Sequence, residues 1–284
     1  MGVLQDIREL TREEYQLFRR LVYEQSGINL GDHKMQLVRA RLGKRLRAGG
    51  FRSYRAYYEY VKNDKSGREL CYLIDAISTN TTHLFREKQH FDFMTEALRR
   101  WLRDSKWRSA HRQLRIWSTA CSSGEEPHSI AMAADDVLRS APEIELKILA
   151  TDISTRMLDR ARAGLYEIHR LGTVPEAFRR RYFTRVRHKG QVFARLCPEL
   201  QRCITFARLN LMAPEFPFRR PFDFIFCRNV MIYFDRPTQQ ALVSKLVRHI
   251  RPGGYLMIGH AESLNALEHP LTYVRPTIYQ RPAS

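Results

Sequence analysis

The residues that could do chemistry follow short apolar runs that should be strands. Residues 115–132, RIWSTACSSGEEPHSIAM, have the pattern of a buried strand, a tight loop and a helix. The loop holds one glycine, Gly124, followed by the two carboxylates Glu125 and Glu126. Polar residues end three later runs in the same way: Asp152, Asn210, and Arg228 with Asn229. Because ligands of parallel sheets bind outside the carboxyl ends of the strands, these residues predict one shared binding crevice.

The acidic, glycine-poor loop limits which ligand the crevice can take. A dinucleotide needs glycines for close approach to its pyrophosphate, and Glu125 and Glu126 would repel that group. S-adenosylmethionine has no phosphate; it offers a ribose to Asp152 and an ammonium group to an acidic loop. The pattern therefore favours methyl-transfer chemistry. Acids also suit a helix N-terminus, with Pro127 in its first turn, so one glutamate could cap and the other bind.

The remaining crevice residues also have a plain structural interpretation. Asp152 could be a turn residue or a helix N-cap, although its place after a strand suits the two ribose hydroxyls. Asn210 and Asn229 are common turn residues. As a set at the strand ends they also suit a neutral base edge, because an asparagine side chain both donates and accepts hydrogen bonds.

The second part of the chain has the alternating strand and helix pattern of an α/β domain. Short β-rich runs alternate with helical ones, which predicts a doubly wound, mostly parallel sheet. The expected strands are 114–120, 146–152, 203–210, 222–230 and 254–260, and the expected helices 127–139, 154–163 and 237–250. Residues 166–202 break the alternation. There, YFTRVRHKGQVFARLC predicts two short strands around the turn HKG, a small antiparallel insertion.

Residues 1 to about 90 have a helical pattern instead. Apolar residues recur at helical spacing in two segments, and Gly27 and Gly49-Gly50 should end the helices. The first apolar face is Tyr15, Phe18, Leu21 and Val22, and the second is Met35, Val38, Leu42 and Leu46. Lys34, Arg41 and Arg45 should form a stripe beside the second face. This stripe could dock an acidic helix bundle, or it could be a solvated face.

The length, charge and cysteine content of the chain limit the classes of protein to which it could belong. The 284 residues suffice for two domains, and the net charge of +18 indicates an acidic partner such as nucleic acid, an anionic membrane or an acidic protein. Five cysteines with no C-x-x-C suggest neither a disulfide framework nor a zinc site, so we expect no metal. The sequence shows no apolar run of membrane length and no apolar signal-peptide core near its start, so we expect a cytoplasmic protein without membrane insertion.

Five motifs resemble the chemotaxis receptor glutamate O-methyltransferases, the CheR family. They are ISTNTTHLFRE (77–87), WSTACSSGEEPHSIAM (117–132), ATDIS (150–154), FDFIFCRNVMIYFD (222–235) and RPGGYLMIGHAES (251–263). The resemblance implies an N-terminal helical receptor-docking domain over 1–90 and a class I methyltransferase-like, Rossmann-like domain over 91–284. It also implies an inserted three-stranded β-subdomain at about 180–208.

The resemblance further implies methyl transfer from S-adenosyl-L-methionine to glutamates of chemoreceptor cytoplasmic helices, with S-adenosyl-L-homocysteine as product. The implied cofactor contacts are Asn80, Thr82, Arg86, Glu126, Asp152, Asn210, Leu211, Arg228 and Asn229. Arg86 and Tyr233 should lie closest to the chemistry. Without the family, Arg86 could simply pair with Glu87 or face solvent, and Tyr233 could be a core residue.

Two other functions remain open on the residues alone. A nucleic-acid methyltransferase would suit the charge, but the chain has no aromatic-flanked proline motif for base methylation. A non-enzymatic cofactor sensor would be favoured by loss of Arg86, Tyr233 or Asp152, and all three are present. We therefore expect methyl-accepting chemoreceptors as partners and no nucleic acid. Some family members bind a receptor peptide on the β-subdomain; their hairpins are richer in glycine, and here that role is left open.

Overall fold

A computed structural model of the chain describes residues 9–188 and 190–283. Lys189, in the turn of the predicted hairpin, lies outside the described residues, as do the first eight residues, which belong to the segment inspected for a signal peptide. The chain divides into two compact units. The helical unit comprises residues up to Thr79 together with Tyr233–Thr238, and the sheet unit comprises the rest. Among the described residues, no helix is both long and apolar enough to cross a membrane.

The division lies at Thr79/Asn80, earlier than the predicted position near residue 90. The chain after it is held by the sheet unit. Ser122 Oγ donates a hydrogen bond to the Asn80 carbonyl at 3.2 Å, and the Phe85 N–H donates to Ser129 Oγ at 2.9 Å. Residues 80–87 therefore belong structurally to the sheet unit, although they follow the helical sequence pattern without a marked break.

The described residues of the helical unit form four α-helices before residue 80. They are α1 (Arg12–Ser26), α2 (Met35–Gly49), α3 (Tyr54–Asn63) and α4 (Arg68–Ile77). Thr11 and Glu14 form a reciprocal capping box at the start of α1. The helix ends at Gly27 in the left-handed conformation, as predicted, and α2 ends in the same way at Gly50. The predicted apolar faces meet in one core, which includes Tyr15, Phe18, Val22, Val38, Leu42 and Leu46.

The predicted basic stripe is partly used inside the helical unit. Arg41 donates to the carbonyls of Ile77 and Ser78, the latter at 3.1 Å. Arg45 donates through Nε and Nη2 to the two carboxylate oxygens of Glu69, at 2.6 and 2.5 Å. The interpretation of these two arginines as free surface charges is therefore wrong: they attach α2 to the start and end of α4. Their docking role stays a prediction.

Lys34 also differs from its predicted setting. It ends a short 3₁₀ turn, Asp32–Lys34, and α2 begins only at Met35. Asp32 starts this turn and forms an ion pair with Arg19 at 3.0 Å. Lys34 is half-buried, whereas Lys44 and Arg47 on α2 are exposed.

The sheet unit is built on a seven-stranded sheet, which confirms the predicted α/β class. The strands of the two sheets, in chain order, are β1 (Gln113–Ser118), β2 (Glu145–Asp152), β3 (Leu165–Glu167), β4 (Phe183–His188), β5 (Gln191–Leu196), β6 (Ile204–Arg208), β7 (Phe222–Cys227), β8 (Ile250–Ile258), β9 (Thr272–Arg275) and β10 (Ile278–Gln280). The large sheet has the order β6-β2-β1-β7-β8-β10-β9. Its first five strands are parallel, and β10 and β9 are antiparallel additions that the sequence did not predict.

Two helices of this unit precede β1, and the others lie between strands in sequence. They are α5 (Gln89–Arg103), α6 (Ser105–Ala110), α7 (Glu125–Leu138), α8 (Thr155–Ala163), α9 (Glu176–Tyr182), α10 (Pro198–Arg202) and α11 (Arg236–His249). From β1 the chain proceeds outward through β2 to β6, and then returns to β7 on the other side of β1. The strand order therefore reverses between β1 and β7, which is where open sheets of this kind form a binding crevice.

The small antiparallel sheet has the order β3-β5-β4, in agreement with the predicted insertion. Its first strand lies at residues 165–167, before the predicted range of about 180–208. The end of that range, residues 204–208, is β6 of the large sheet. The reason is that β5 pairs on both sides, with β4 through the hairpin and with the three-residue β3 that follows α8. A strand so short leaves almost no periodic signal in the sequence.

We predict that Arg45→Met lowers the free energy of unfolding by about 1–3 kcal/mol, because it leaves the carboxylate of Glu69, whose side chain is only 5% exposed, without its cation. The matched control is Lys44→Met, which removes an exposed charge from the neighbouring position of α2 and should change stability by less than about 0.5 kcal/mol. Thermal and urea unfolding followed by circular dichroism measure both. Equal effects of the two substitutions would contradict the structural role of Arg45.

Candidate active site

The loop between β1 and α7 explains the single glycine of the acidic motif. Gly124 has φ +97°, and a Cβ atom there would lie 2.8 Å from the Ala161 Cα of α8. Glycine is therefore needed for the close approach of α7 to α8 and for the left-handed backbone. No pyrophosphate contact has to be invoked for it. The two glutamates that follow begin α7, as their place at a helix N-terminus predicts.

The two glutamates have different partners. Glu125 is almost fully buried and forms an ion pair with Arg170 at 2.7 Å. Glu126 accepts a hydrogen bond from Ser118 Oγ at 2.7 Å and lies 3.2 Å from Nη1 of Arg228. Burial raises the pKa of Glu126, and the nearby carboxylates of Glu87 and Glu262 add to that effect, whereas Arg228 and Ser118 oppose it. Glu126 is thus a carboxylate that a bound cation would stabilise.

Arg228, at the end of β7, is the centre of the crevice. Its side chain is only 1% exposed. Nη2 lies 3.0 Å from Glu87 Oε2 and also donates to the carbonyl of Arg86. Its guanidinium carbon lies 5.5 Å from the centre of the Phe91 ring, in reach of a cation–π contact. Arg228 therefore connects the end of β7 with residues 86–87 and with the start of α7.

Glu87 is the site residue whose role the sequence did not predict. Its Oε1 accepts hydrogen bonds from Asn229 Nδ2 at 3.1 Å and from the His260 N–H at 3.2 Å. Burial alone would raise the pKa of Glu87, but Arg228, Asn229 and His260 hold it below its usual value. The Glu87 carboxylate therefore stays charged and connects Arg228, Asn229 and the backbone of His260. Its place beside Arg86 in the most specific motif was the only available signal.

Glu262 holds the chain that follows β7. Its carboxylate accepts hydrogen bonds from the N–H groups of Asn229 at 3.0 Å and Val230 at 2.9 Å, and also from Ile232 and Gly259. Asn229 itself has φ +57°, a conformation that asparagine tolerates better than most residues. These contacts give Glu262 a structural role, and they show how Asn229 is kept at the mouth of the crevice.

Asp152, at the end of β2, lies beside the acidic loop as expected for a crevice residue. Its Oδ2 accepts the Ser122 N–H at 2.8 Å and its Oδ1 accepts the Ser154 N–H at 2.9 Å. Ser122 also reaches Asn80, so Asp152 and Asn80 are joined through one residue. A carboxylate can accept several hydrogen bonds, so backbone contacts and ribose contacts do not exclude each other. The turn role and the proposed ligand role are therefore compatible.

The other predicted residues occupy loops around this group. Nη1 of Arg86 donates to the Thr81 carbonyl at 3.0 Å. The arginine that pairs with Glu87 is Arg228 and not Arg86. The Thr82 carbonyl accepts a bond from Arg170. After β6, Asn210 Oδ1 accepts the Met212 N–H at 2.9 Å, and the carbonyl of the buried Leu211 accepts from Lys245 Nζ at 2.7 Å.

Four of the predicted residues belong to the helical unit. Tyr233 belongs to the helical unit, where its carbonyl accepts the Asn29 N–H at 2.8 Å. Its side chain is half-buried, so the interpretation of Tyr233 as a core residue is not supported. Lys34, Arg41 and Arg45 lie in the helical unit as well.

One cluster of possible metal ligands lies next to the crevice in the described part of the chain. It comprises Glu87, His90 and His260, whose ligand atoms lie within 4.8 Å of one another. Burial and the charge of Arg228 lower the pKa of His90 to about 3. Both oxygens of Glu87 already accept hydrogen bonds, from Arg228 and Asn229 among others, so a metal would have to displace Arg228. Absence of a metal stays a prediction.

A mostly parallel sheet with an acidic, glycine-poor crevice at its switch point defines the class of S-adenosylmethionine-dependent methyltransferases. Two family descriptions match the chain: "CheR methyltransferase, all-alpha domain" over residues 13–78 and "CheR methyltransferase, SAM binding domain" over residues 80–279. The chain therefore belongs to the CheR methyltransferase family, and S-adenosylmethionine is its cofactor. The boundary between the two matches agrees with the division at Thr79/Asn80.

Curated relatives support the same family over nearly the whole length. The chain is 36% identical over 273 residues to a chemotaxis protein methyltransferase of Borreliella burgdorferi, covering 96% of this chain and 95% of the relative. It is 38% identical to chemotaxis protein methyltransferase 2 of Pseudomonas aeruginosa, covering 95% and 93%. It is 37% identical to the chemotaxis protein methyltransferase of Escherichia coli, covering 95% and 91%. These relatives agree with the family that the two domain matches show.

We predict that affinity for S-adenosylhomocysteine falls as the pH drops through the raised pKa of Glu126, because protonation removes the negative charge that would face the ammonium group. As the pH is lowered, this loss of affinity should begin at a higher pH than it would for a glutamate with an ordinary pKa. Glu126→Gln should bind about tenfold more weakly near neutral pH, since it has lost a charge-assisted bond, and should lose this pH dependence.

Isothermal titration calorimetry across the acid range measures this effect. Unfolding midpoints of both proteins at each pH control for loss of fold. Parallel pH profiles of wild type and Glu126→Gln would contradict the role of this carboxylate.

Proposed function

We propose that the protein transfers the methyl group to glutamate side-chain carboxylates of chemoreceptor cytoplasmic helices and forms glutamyl methyl esters. The observation that carries the proposal is the charge pattern of the crevice. Glu87 and Glu126 both pair with a single guanidinium, Arg228, and the carboxylate of Glu262 is near enough to raise the pKa of Glu126, so the cluster has an excess of negative charge. That excess suits a cofactor with a sulfonium and an ammonium group, and Arg86 beside it suits an anionic acceptor.

The cofactor would be held mainly by strand ends and by the loop 80–87. Asp152 suits the ribose, Glu126 the ammonium group, and Asn210 with Leu211 the adenine, whose edge needs both a donor and an acceptor. Asn80, Thr82, Arg228 and Asn229 would complete the contacts, as the family resemblance implies. When it is bound, S-adenosylmethionine supplies an electrophilic methyl group.

The acceptor needs little chemical activation. A glutamate carboxylate has an ordinary pKa of about 4.3 and is ionised at pH 7, so no general base is required. The protein's contribution is to desolvate and orient that anion, which needs a compensating cation or donor. We assign this role to the Arg86 guanidinium and assign the Tyr233 hydroxyl or ring face to the sulfonium side of the site.

The receptor itself would dock on the helical unit. The net charge of +18 favours an acidic helix bundle, and Lys34 lies in the turn that precedes α2. Arg41 and Arg45 support this surface mainly by fixing α2 to α4. Because the methylated helices of chemoreceptors are cytoplasmic in the family, we place the activity in the cytoplasm.

The reaction type predicts a specific chemical outcome. After incubation with labelled S-adenosylmethionine and receptor, base treatment should release volatile methanol, because a carboxyl ester is hydrolysed whereas a methylated base or amine is not. Arg86→Ala should lower kcat by about tenfold or more, because the anion loses its compensating cation. Tyr233→Phe tests the hydroxyl separately from the ring.

The controls for this experiment are the unfolding midpoints and the affinity for S-adenosylhomocysteine. Base-stable label in the receptor would exclude the ester. Unchanged turnover of a folded Arg86→Ala variant would remove Arg86 from the chemistry, and unchanged turnover of Tyr233→Phe would restrict Tyr233 to its ring face or to packing.

Docking predicts a separate kinetic effect. Lys34→Glu should raise the Michaelis constant for receptor by roughly two- to fivefold at low salt, with affinity for S-adenosylhomocysteine unchanged. Wild-type activity should fall with added salt, because exposed charges are screened over about 8–10 Å at physiological ionic strength. The matched control is Lys44→Glu, at an exposed position of α2. Equal Michaelis constants for the two variants would indicate that Lys34 has no docking role.

A further inference from the structure

Part of the inserted segment contacts the loop that carries three of the proposed cofactor residues. We call residues 80–87 the site loop and residues 168–178, which lie between β3 and β4, the brace. Arg170 Nη2 donates to the Thr82 carbonyl at 3.0 Å, and Thr173 Oγ1 donates to the Leu84 carbonyl at 2.7 Å. The ring of Phe178 lies 5.8 Å from that of Phe85. The brace therefore contacts the site loop at Thr82, Leu84 and Phe85.

The site loop needs such external support. Residues 79–83 form neither helix nor strand, and side chains donate to the carbonyls of Asn80, Thr81 and Thr82. Phe85 and Glu87 have φ values of 55° and 56°, the left-handed region that non-glycine residues seldom adopt. Such conformations persist where the surrounding structure fixes them, and they concentrate at functional sites. The strained residues flank Arg86, which we assign to the chemistry.

Arg170 has a second contact that extends the brace to the acidic loop. Its Nη2 forms the ion pair with Glu125 Oε1 at 2.7 Å, and Glu125 is the first residue of α7. The Glu125 side chain is only 1% exposed, so its charge depends on this cation. One guanidinium thus joins the site loop to the start of α7, where Glu126 follows in sequence.

We propose that the brace sets the cofactor-binding conformation of the site loop, with Arg170 and Thr173 as positioning residues. Neither is required to touch the cofactor. They act through the carbonyls of Thr82 and Leu84 and through Glu125. The inference rests on the proposed function, because Asn80, Thr82 and Arg86 are proposed contacts. It assigns the inserted segment a role in cofactor binding and turnover that is separate from any role in receptor recruitment.

The sharpest test uses two substitutions at Thr173. Thr173→Ser keeps the hydroxyl that donates to Leu84, whereas Thr173→Val keeps the shape and removes the donor. Thr173→Val should raise the dissociation constant for S-adenosylhomocysteine about fivefold, the effect of losing one hydrogen bond that fixes the loop, and should lower kcat. Thr173→Ser should stay within about twofold of wild type, and neither should change the Michaelis constant for receptor.

Arg170 gives an independent second pair of variants. Arg170→Met keeps most of the side-chain length and removes both contacts, and we expect it to weaken S-adenosylhomocysteine binding about tenfold or more. The control is Arg187→Met, which removes an exposed positive charge from β4 of the same insertion. That variant should bind like wild type. Calorimetry gives the dissociation constants, and unfolding midpoints show whether each variant is folded.

The outcomes separate the brace from the proposed function. Folded Thr173→Val and Arg170→Met variants with wild-type affinity and kcat would overturn the inference, even if their unfolding midpoints fall, because the contacts would then be only structural. Equal losses in Thr173→Ser and Thr173→Val would overturn the role of the hydrogen bond. If wild type binds S-adenosylhomocysteine but releases no methanol after methylation, the proposed substrate fails, while the affinities still decide on the brace.

Discussion

The active-site crevice depends on a charged group that is almost completely removed from water. The Arg228 guanidinium can be buried only because Glu87 and Glu126 lie 3.0 and 3.2 Å away and the carbonyl of Arg86 accepts one of its N–H groups. These partners come from the site loop and from the start of α7, which are distant from β7 in sequence. Loss of either carboxylate would leave an unbalanced buried charge, so the same contacts stabilise the fold and arrange the site.

The loop between β1 and α7 differs from phosphate-binding loops both in the role of its glycine and in its charge. Gly124 serves the packing of α7 against α8, and the positions where phosphate-binding loops avoid charge carry Glu125 and Glu126. Glu125 is neutralised by Arg170, whereas Glu126 shares Arg228 with Glu87. The two glutamates are therefore not equivalent. One fixes the loop structure, and the other remains in a cluster with excess negative charge that suits a cationic cofactor.

Part of the positive charge of the chain supports the fold, and only the remainder is available for docking. Arg41 and Arg45 direct their guanidinium groups to α4 and the residues after it, and Arg170 fixes the site loop. The large number of basic residues in the sequence suggests an acidic partner, but these three arginines support the fold. A count of basic residues therefore overestimates the charge that remains for docking, and the proposed docking surface must be sought among exposed residues such as Arg47 and the half-buried Lys34.

The sequence by itself determined the helical unit, the five parallel strands, the hairpin of the insertion and the residues at the strand ends, because these features have strong apolar periodicity or belong to specific motifs. Tertiary structure alone decided the rest. The three-residue β3 and the antiparallel β9 and β10 are too short to show a period. Glu87 and Arg170 acquire their roles from partners more than forty residues away, at Arg228 and at Thr82. Arg45 could not be assigned to Glu69 rather than to a receptor, because a charged residue on a helix has the same pattern whether its partner lies on another helix or on another protein.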